Sequence, residues 1–353
     1  MDTGIHTIYL ERCFQLARLG AGTVAPNPMV GAVLVYDNRI IGEGYHQRYG
    51  EAHAEVNCIN NALEQHAALI EKATLYVSLE PCAHYGKTPP CADLIIRYKI
   101  PRVVVGCRDN FEAVNGRGIE KLRNAGIEVT EHIADREAII LNKRFFTFHG
   151  QKRPYVILKW AETRDGIMAL PGAERLKITR PVTDRLVHSW RSSEAAIMVG
   201  AGTAVKDDPL LDNRHWFGNA PQKIVLSASG NLSADLKLLQ PGVATWVFNR
   251  NHAKKEGQTE WIRVDKADLI GGMLDVLFER QILSVFVEGG QQLLQSFIDA
   301  GLWDEARVIT NTEMIAGSGL QAPSLCGQVL LQTTVLETDE VTVYKNMTNQ
   351  FIN

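Results

Sequence analysis

The chain has 353 residues, 45% hydrophobic and 22% charged, with a formal net charge of −3. That length exceeds what one core usually serves, so two domains are expected, and the composition excludes a disordered or fibrous chain. The slightly acidic balance leaves no global basic surface for nucleic acid and favours a small-molecule substrate.

Acidic Asp2 and Glu11 stand where a secretory leader needs a basic and then an apolar stretch, and nowhere do about eighteen apolar residues run together to span a membrane. A cytoplasmic chain with no membrane partner is therefore expected. Residues 6–20 carry Ile8, Leu10, Phe14, Leu16, Ala17 and Leu19 at helical spacing, and Gly20 and Gly22 end the run. A strand at 29–36, a turn at Asp37-Asn38 and a partner strand at 39–46 form a hairpin. A helix at 52–65 follows. The β-branched and aromatic run 74–79 is a short strand that must turn at Glu80-Pro81-Cys82, because proline disfavours continuing a central strand. Pro89-Pro90 opens another helix through Tyr98, followed by a strand at 102–106, a helix at 118–125 and a strand at 127–130. Strands alternating with helices after a hairpin indicate an α/β layer sandwich.

The pattern pauses at Gly150-Gln151-Lys152-Arg153-Pro154, a polar stretch that sets the expected boundary between domains 1–149 and 150–353. Beyond it, strands at 155–160, 195–199, 223–226, 244–248, 284–287 and 306–310 are interleaved with helices at 181–191, 269–280 and 291–300, so the second half is again α/β. No internal repeat or low-complexity tract is visible.

Six cysteines in so long a chain suit reduced thiols rather than a disulfide scaffold. Cys13, Cys58, Cys107 and Cys326 are read as packing residues, which leaves Cys82 and Cys91. His53-Ala54-Glu55 opens the second helix, so His53 and Glu55 can address one site without Glu55 being a ligand. Three ligands of nitrogen and sulfur type leave a fourth tetrahedral position for water, the pattern of a catalytic rather than a structural zinc. Zinc lowers the pKa of such a water towards neutrality, and Glu55 is placed to take its proton and deliver protons to a ring nitrogen and a departing amine. Hydrolytic deamination is the chemistry these residues fit. Taken singly, each piece is ordinary: His-x-Glu is usually decoration, and two cysteines nine positions apart are usually buried thiols. Their order, with Pro81 before Cys82, is what carries the reading.

H-x-E followed by P-C and a later Cys resembles the signature of zinc nucleobase deaminases. Those usually place two residues between the cysteines, whereas eight intervene here. The insert P-C-x-H-x-G-x-T-P-P-C resembles the riboflavin-biosynthesis pyrimidine deaminases, and residues 25–31 are similar to that family's APNPxVG loop. The resemblance implies substrate contacts at Asn27, His46, His84, Lys87 and Asp109, with Asn27 facing the base edge and Lys87 offering a point charge to a phosphate. The family's D-P-N-P segment is altered here after Asp109, which alone matches in Asp109-Asn110-Phe111-Glu112.

Segments of the second half are similar, in order, to the family's C-terminal reductase. Residues 159–166 resemble K-x-A-x-S-x-D-G, residues 207–214 resemble DDPxLTxR, and Val287-Glu288-Gly289-Gly290 leaves a strand to open a helix. The resemblance implies a cytidine-deaminase-like three-layer sandwich followed by a dihydrofolate-reductase-like α/β domain. It also implies substrate contacts at Arg191, Leu211, Arg214 and Glu288, and cofactor contacts at Ala161, Lys177, Thr203, Asp207, Gly289 and Gly290. Glycines at a strand-to-helix turn admit a phosphate to a helix N-terminus, and guanidinium groups suit a sugar phosphate. Arg175 and Lys177 stand where the family commonly has Ser and Trp.

The expected protein is thus a bifunctional enzyme using Zn2+ and NADPH on a phosphorylated pyrimidine, with a homo-oligomer left open. Two other readings remain at this point. A nucleoside or tRNA-base deaminase with an accessory domain is opposed by the long insert and the lack of a basic surface, and a non-catalytic ligand-binding regulator by the intact Glu55 and ligand set.

Overall fold

The computed structural model describes residues 3–85, 89–109, 115–172 and 176–348. The chain divides into two compact units that meet between Gln151 and Lys152.

The first unit runs α1 (Thr3–Arg18), β1 (Gly31–Tyr36), β2 (Arg39–Tyr45), α2 (Ala54–His66), β3 (Thr74–Val77), α3 (Cys91–Arg97), β4 (Arg102–Val105), α4 (Arg117–Asn124), β5 (Glu128–Thr130), α5 (Asp135–Leu141) and α6 (Lys143–Gln151). Its sheet has the order β2-β1-β3-β4-β5, with β1 antiparallel to β2 and β3, and β3, β4 and β5 parallel. Asp37 and Asn38 take left-handed φ values of 50° and 57°, the conformation a two-residue turn needs to match the twist of its strands. Alternation along the strands separates two cores. Ala32, Leu34, Leu75, Val77, Val103 and Val105 pack with residues of α2, α3 and α4. Val33, Val35, Tyr76 and Val104 pack with α1, Ala138 of α5 and Phe146 of α6. The result is the expected three-layer sandwich.

Helices α5 and α6 went unread in the sequence. Ala138 is the sole fully buried residue of α5, too little to give a helical period, while α6 is held by Phe145, Phe146 and Phe148. That packing carries α6 through Gly150 to Gln151, so the polar pause lies partly within a helix.

The second unit runs β6 (Tyr155–Thr163), β7 (Ile167–Ala169), α7 (Pro181–Ser192), β8 (Ala196–Gly200), α8 (Ala201–Asp207), β9 (Gln222–Leu226), β10 (Thr245–Asn249), β11 (Lys254–Glu256), β12 (Thr259–Arg263), α9 (Leu269–Glu279), β13 (Ser284–Val287), α10 (Gln291–Asp299), β14 (Glu305–Asn311), β15 (Leu320–Gln321), β16 (Gln328–Leu336) and β17 (Asp339–Asn346). Ten strands form one sheet in the order β11-β12-β10-β9-β8-β13-β6-β14-β17-β16, parallel from β12 to β14 and closed by antiparallel edges. Val156, Leu158, Met198, Phe248, Val285 and Val287 pack with Met273, Leu277, Leu294 and Phe297 of α9 and α10. The edge hairpin β16–β17 was invisible in the sequence because β16 is exposed along most of its length, leaving no buried face to set a period of two.

The placement of α2 rests on two glycines. Gly42 and Gly44 lie on the face of β2 beneath α2, and a Cβ on Gly44 would stand 2.2 Å from the Cys58 nitrogen and 2.6 Å from the Ala54 carbonyl oxygen, both helix backbone. Gly44→Ala should therefore push α2 outward and destabilise the first unit by about 2–3 kcal/mol. Denaturant unfolding checks the stability, and zinc content checks whether His53 has moved. Unchanged values for both would show that α2 does not depend on this contact.

Candidate active sites

In the first unit, His53 is the N-cap residue of α2 and Cys91 opens α3, while Cys82 follows β3 by way of the Glu80-Pro81 turn. Two helix N-termini therefore aim at one point, where their dipoles favour thiolate over thiol. His53 Nδ1 lies 3.6 Å from Cys82 Sγ and 3.3 Å from Cys91 Sγ, and the three donor atoms are all within 4.8 Å of one another. Donors around a tetrahedral zinc stand about 3.5 Å apart, so the set fits that ion. The Cys91 thiol and His53 hold the Cys82 thiol well below its ordinary range, and the Cys82 charge in turn pushes Cys91 up. The two cysteines are held together despite the eight residues between them, because the Cys91 N–H donates to Cys82 Sγ and the Ala92 N–H to the Cys82 carbonyl.

Glu55 lies in the first turn of α2, 3% exposed, and burial pushes its carboxyl up to about 7 against the pull of His53. A cation on the triad pulls it further down. Burial that raises this carboxyl and a neighbouring cation that lowers it leave a group able both to take and to give a proton. His46 is buried, and burial pushes its pKa down, so its ring is neutral. Its Nδ1 lies 3.1 Å from the Ala52 carbonyl and its Nε2 3.1 Å from Asn27 Nδ2. With Nδ1–H given to Ala52, Nε2 accepts from the Asn27 amide, which leaves Asn27 Oδ1 as the outward acceptor. Asp109 is buried and follows β4, and His84 is exposed. Lys87 lies outside the described residues.

In the second unit, Arg191 at the end of α7 donates from Nε and Nη2 to both oxygens of Glu288, at 2.5 and 2.8 Å, and from Nη1 to the Asp212 carbonyl at 2.8 Å. Arg214 Nη1 donates to Asp212 Oδ1 at 2.6 Å. The structure thus gathers Arg191, Arg214 and Glu288 around Asp212. Burial pushes the Glu288 carboxyl up, but Arg191 and Lys159 outweigh it and hold it below the usual carboxylate range. Leu211 is buried, with an uncommon left-handed φ of 49°. Gly289 and Gly290 join β13 to α10 beside β8, and a Cβ on either would stand about 3 Å from the Thr203 side chain (3.1 and 3.0 Å). These three residues therefore form one narrow strand-to-helix cradle, which fits a phosphate-bearing cofactor. Ala161 lies on β6, Asp207 is exposed at the end of α8, and Lys177 is exposed and paired with Asp184 at 3.6 Å. Arg175 is outside the described residues. Lys159, His188 and Asp212 carry no role in the sequence reading, although Lys159 and Asp212 fall inside the segments quoted for the resemblance.

Residues 5–107 match the family described as cytidine and deoxycytidylate deaminase zinc-binding region, and residues 154–349 match the RibD C-terminal domain. The class is therefore a zinc deaminase joined to a reductase. The riboflavin biosynthesis protein RibD of Aquifex aeolicus is 38% identical, covering 90% of this chain and 89% of the relative, and that of Escherichia coli is 36% identical, covering 90% of each. A crystal structure from Thermotoga maritima, titled a diaminohydroxyphosphoribosylaminopyrimidine deaminase and 5-amino-6-(5-phosphoribosylamino)uracil reductase, superposes with a TM-score of 0.89 at 35% identity, covering 98% of this chain and 99% of that one. The chain belongs to the RibD family. It carries the deaminase and reductase activities of riboflavin biosynthesis and takes Zn2+ and NADPH as cofactors. No helix among the described residues is long and apolar enough to cross a membrane.

His188, on α7, is 5% exposed, stands edge-on to His215 with ring centroids 4.7 Å apart, and has no partner at Nδ1. Burial, followed by Arg191, holds its pKa down to about 4 from the ordinary 6.5. The unfolded chain therefore takes up this proton first, so the contribution to stability is whole above pH 6.5 and falls as the pH drops towards 4. His188→Gln should lose less stability across that window than the parent, as measured by denaturant unfolding at a series of pH values. Identical pH slopes would remove His188 from the account.

Proposed function

We propose that residues 1–149 hydrolyse the ring amine of 2,5-diamino-6-ribosylamino-4(3H)-pyrimidinone 5′-phosphate, and that residues 150–353 then reduce its ribosyl chain to ribityl. The observation that carries the first step is the convergence of His53, Cys82 and Cys91 with buried Glu55 beside them. Zinc held by these three residues supplies a Lewis acid that makes water a nucleophile near neutral pH. Glu55 takes one proton from the attacking water and passes it to the ring nitrogen, then takes the remaining proton from the hydroxyl of the adduct as the carbonyl forms and gives it to the amine, whose C–N bond breaks to release ammonia. Asn27 Oδ1, oriented through His46, accepts from the edge of the base, with His84 and Asp109 as further substrate contacts and Lys87, from the resemblance alone, as the charge for the phosphate.

In the second unit, NADPH supplies the hydride. Gly289, Gly290 and Thr203 form its phosphate cradle, with Ala161, Lys177 and Asp207 as further contacts. Arg191 and Arg214 bind the substrate phosphate, Glu288 accepts from the sugar or pyrimidine end, and Leu211 shapes the pocket. The Arg191–Glu288 pair supports this reading, because it fixes a guanidinium and a carboxylate at one end of the sheet, ready to exchange partners with a phosphorylated polyol. The substrate is a small phosphorylated pyrimidine rather than nucleic acid, and a cytoplasmic location fits the six unpaired cysteines.

Glu55→Gln should keep one zinc per chain yet slow ammonia release by about two to four orders of magnitude, with NADPH oxidation on the deaminated intermediate unchanged. Cys82→Ser should lose the zinc itself. Metal analysis beside the two half-reaction assays checks both variants, and full deamination by Glu55→Gln would contradict the assignment.

A further inference from the structure

Cys82 and Asp109 stand on different loops, one after β3 and the other after β4, and a single buried side chain joins them. Glu80 is 5% exposed and accepts from four backbone amides. Its Oε2 takes Asp109 at 3.2 Å and Gly116 at 2.9 Å, and its Oε1 takes Gly118 at 2.9 Å and Ile119 at 3.4 Å. Its own N–H donates to the Cys107 carbonyl at 3.0 Å, so both the main chain and the side chain of Glu80 bind the loop after β4. A carboxylate whose acceptor sites are filled by amide donors has no role as a proton carrier. Its role is to hold what it binds.

Two features show that this hold is built in. The N-cap of α4 is Gly116, which has no side chain to cap the helix, and the amides of Gly118 and Ile119 in its first turn are satisfied by Glu80 instead. A Cβ on Gly118 would lie 1.9 Å from the Pro81 carbonyl oxygen, so the first turn of α4 is pressed directly onto the turn that leads to Cys82. Asp109 and Gly116, separated by six residues in the sequence, share one oxygen of the same carboxylate.

We propose that Glu80 is a positioning residue for deamination. It ties the Asp109 amide to that of Gly116, seats the first turn of α4, and so fixes Asp109 relative to the Cys82 loop. The inference rests on the reading of Asp109 as a substrate contact. Substrate binding is then set from the metal loop through one carboxylate, without Glu80 touching metal or substrate.

The test uses the full chain with Glu80→Gln, Asp109→Asn and the double variant, each assayed for zinc content, deaminase KM and kcat, and NADPH-dependent reduction. In Glu80→Gln a single acceptor oxygen remains and an NH2 group faces amide donors. The deaminase KM should rise about tenfold or more, as one lost hydrogen bond to a charged acceptor implies, with a smaller change in kcat. Zinc and reduction should be unchanged, and the double variant should be no worse than Asp109→Asn alone. Glu80→Asp, which keeps the charge, should recover part of the KM, and it takes the place of Glu80→Gln under the same criteria if that variant does not fold. An unchanged KM in Glu80→Gln beside a raised KM in Asp109→Asn overturns the proposal and leaves the Asp109 reading standing. Zinc loss in step with activity, or additive effects in the double variant, also overturns it. An unchanged KM in Asp109→Asn instead overturns the Asp109 reading and, with it, the route proposed for Glu80.

Discussion

Three metal donors from three separate pieces of chain must reach one ion, and the organisation of the first unit follows from that constraint. A histidine ahead of α2, a thiol at the start of α3 and a thiol on the loop after β3 meet only if both helices lie on the same face of the sheet with their N-termini level. The glycines of β2 let α2 approach that closely, and the alternating small and branched residues of β1, β3 and β4 hold α2 and α3 on the same side. Within this arrangement the Cys82 thiol is already held below its ordinary range while Cys91 is pushed up, so binding the ion would release the remaining proton. Glu55, in the first turn of α2, has its carboxyl raised by burial at the same place, so its state and the position of His53 both follow from how α2 is packed.

The second unit solves a different problem with the same type of sheet. Its site gathers at strand ends, where β8 and β13 run side by side and both lead into helices. An arginine and a glutamate are buried against each other, a pair that costs desolvation and is retained most readily where it has a binding task. Nothing in the local sequence demands this pairing, since Arg191 and Glu288 lie 97 positions apart.

Legibility followed burial. The deaminase ligands were readable because their spacing is chemical: His-x-Glu at a helix start, proline before the first cysteine, and a second cysteine after a proline pair. Strands with one or both faces in a core, such as β1, β13 and β14, were found within a residue or two, because their apolar runs are constrained by packing. The hairpin β16–β17 and helix α5 escaped for the converse reason, having little buried surface to impose a period. Glu80 escaped for another: in sequence it is a turn residue before proline, and its work is visible only when the amides of Asp109, Gly116, Gly118 and Ile119 are seen around it. The geometry around His46 is likewise visible only in the structure, where its Nδ1 faces the Ala52 carbonyl and its Nε2 the Asn27 amide.

The metal centre is the claim on which the rest depends, and zinc-edge X-ray absorption of the purified chain tests it most directly. The account predicts two sulfur donors at about 2.3 Å and two nitrogen or oxygen donors at about 2.0–2.1 Å, one from His53 and one from solvent. A shell of four light donors, or of three or four sulfurs, would contradict it.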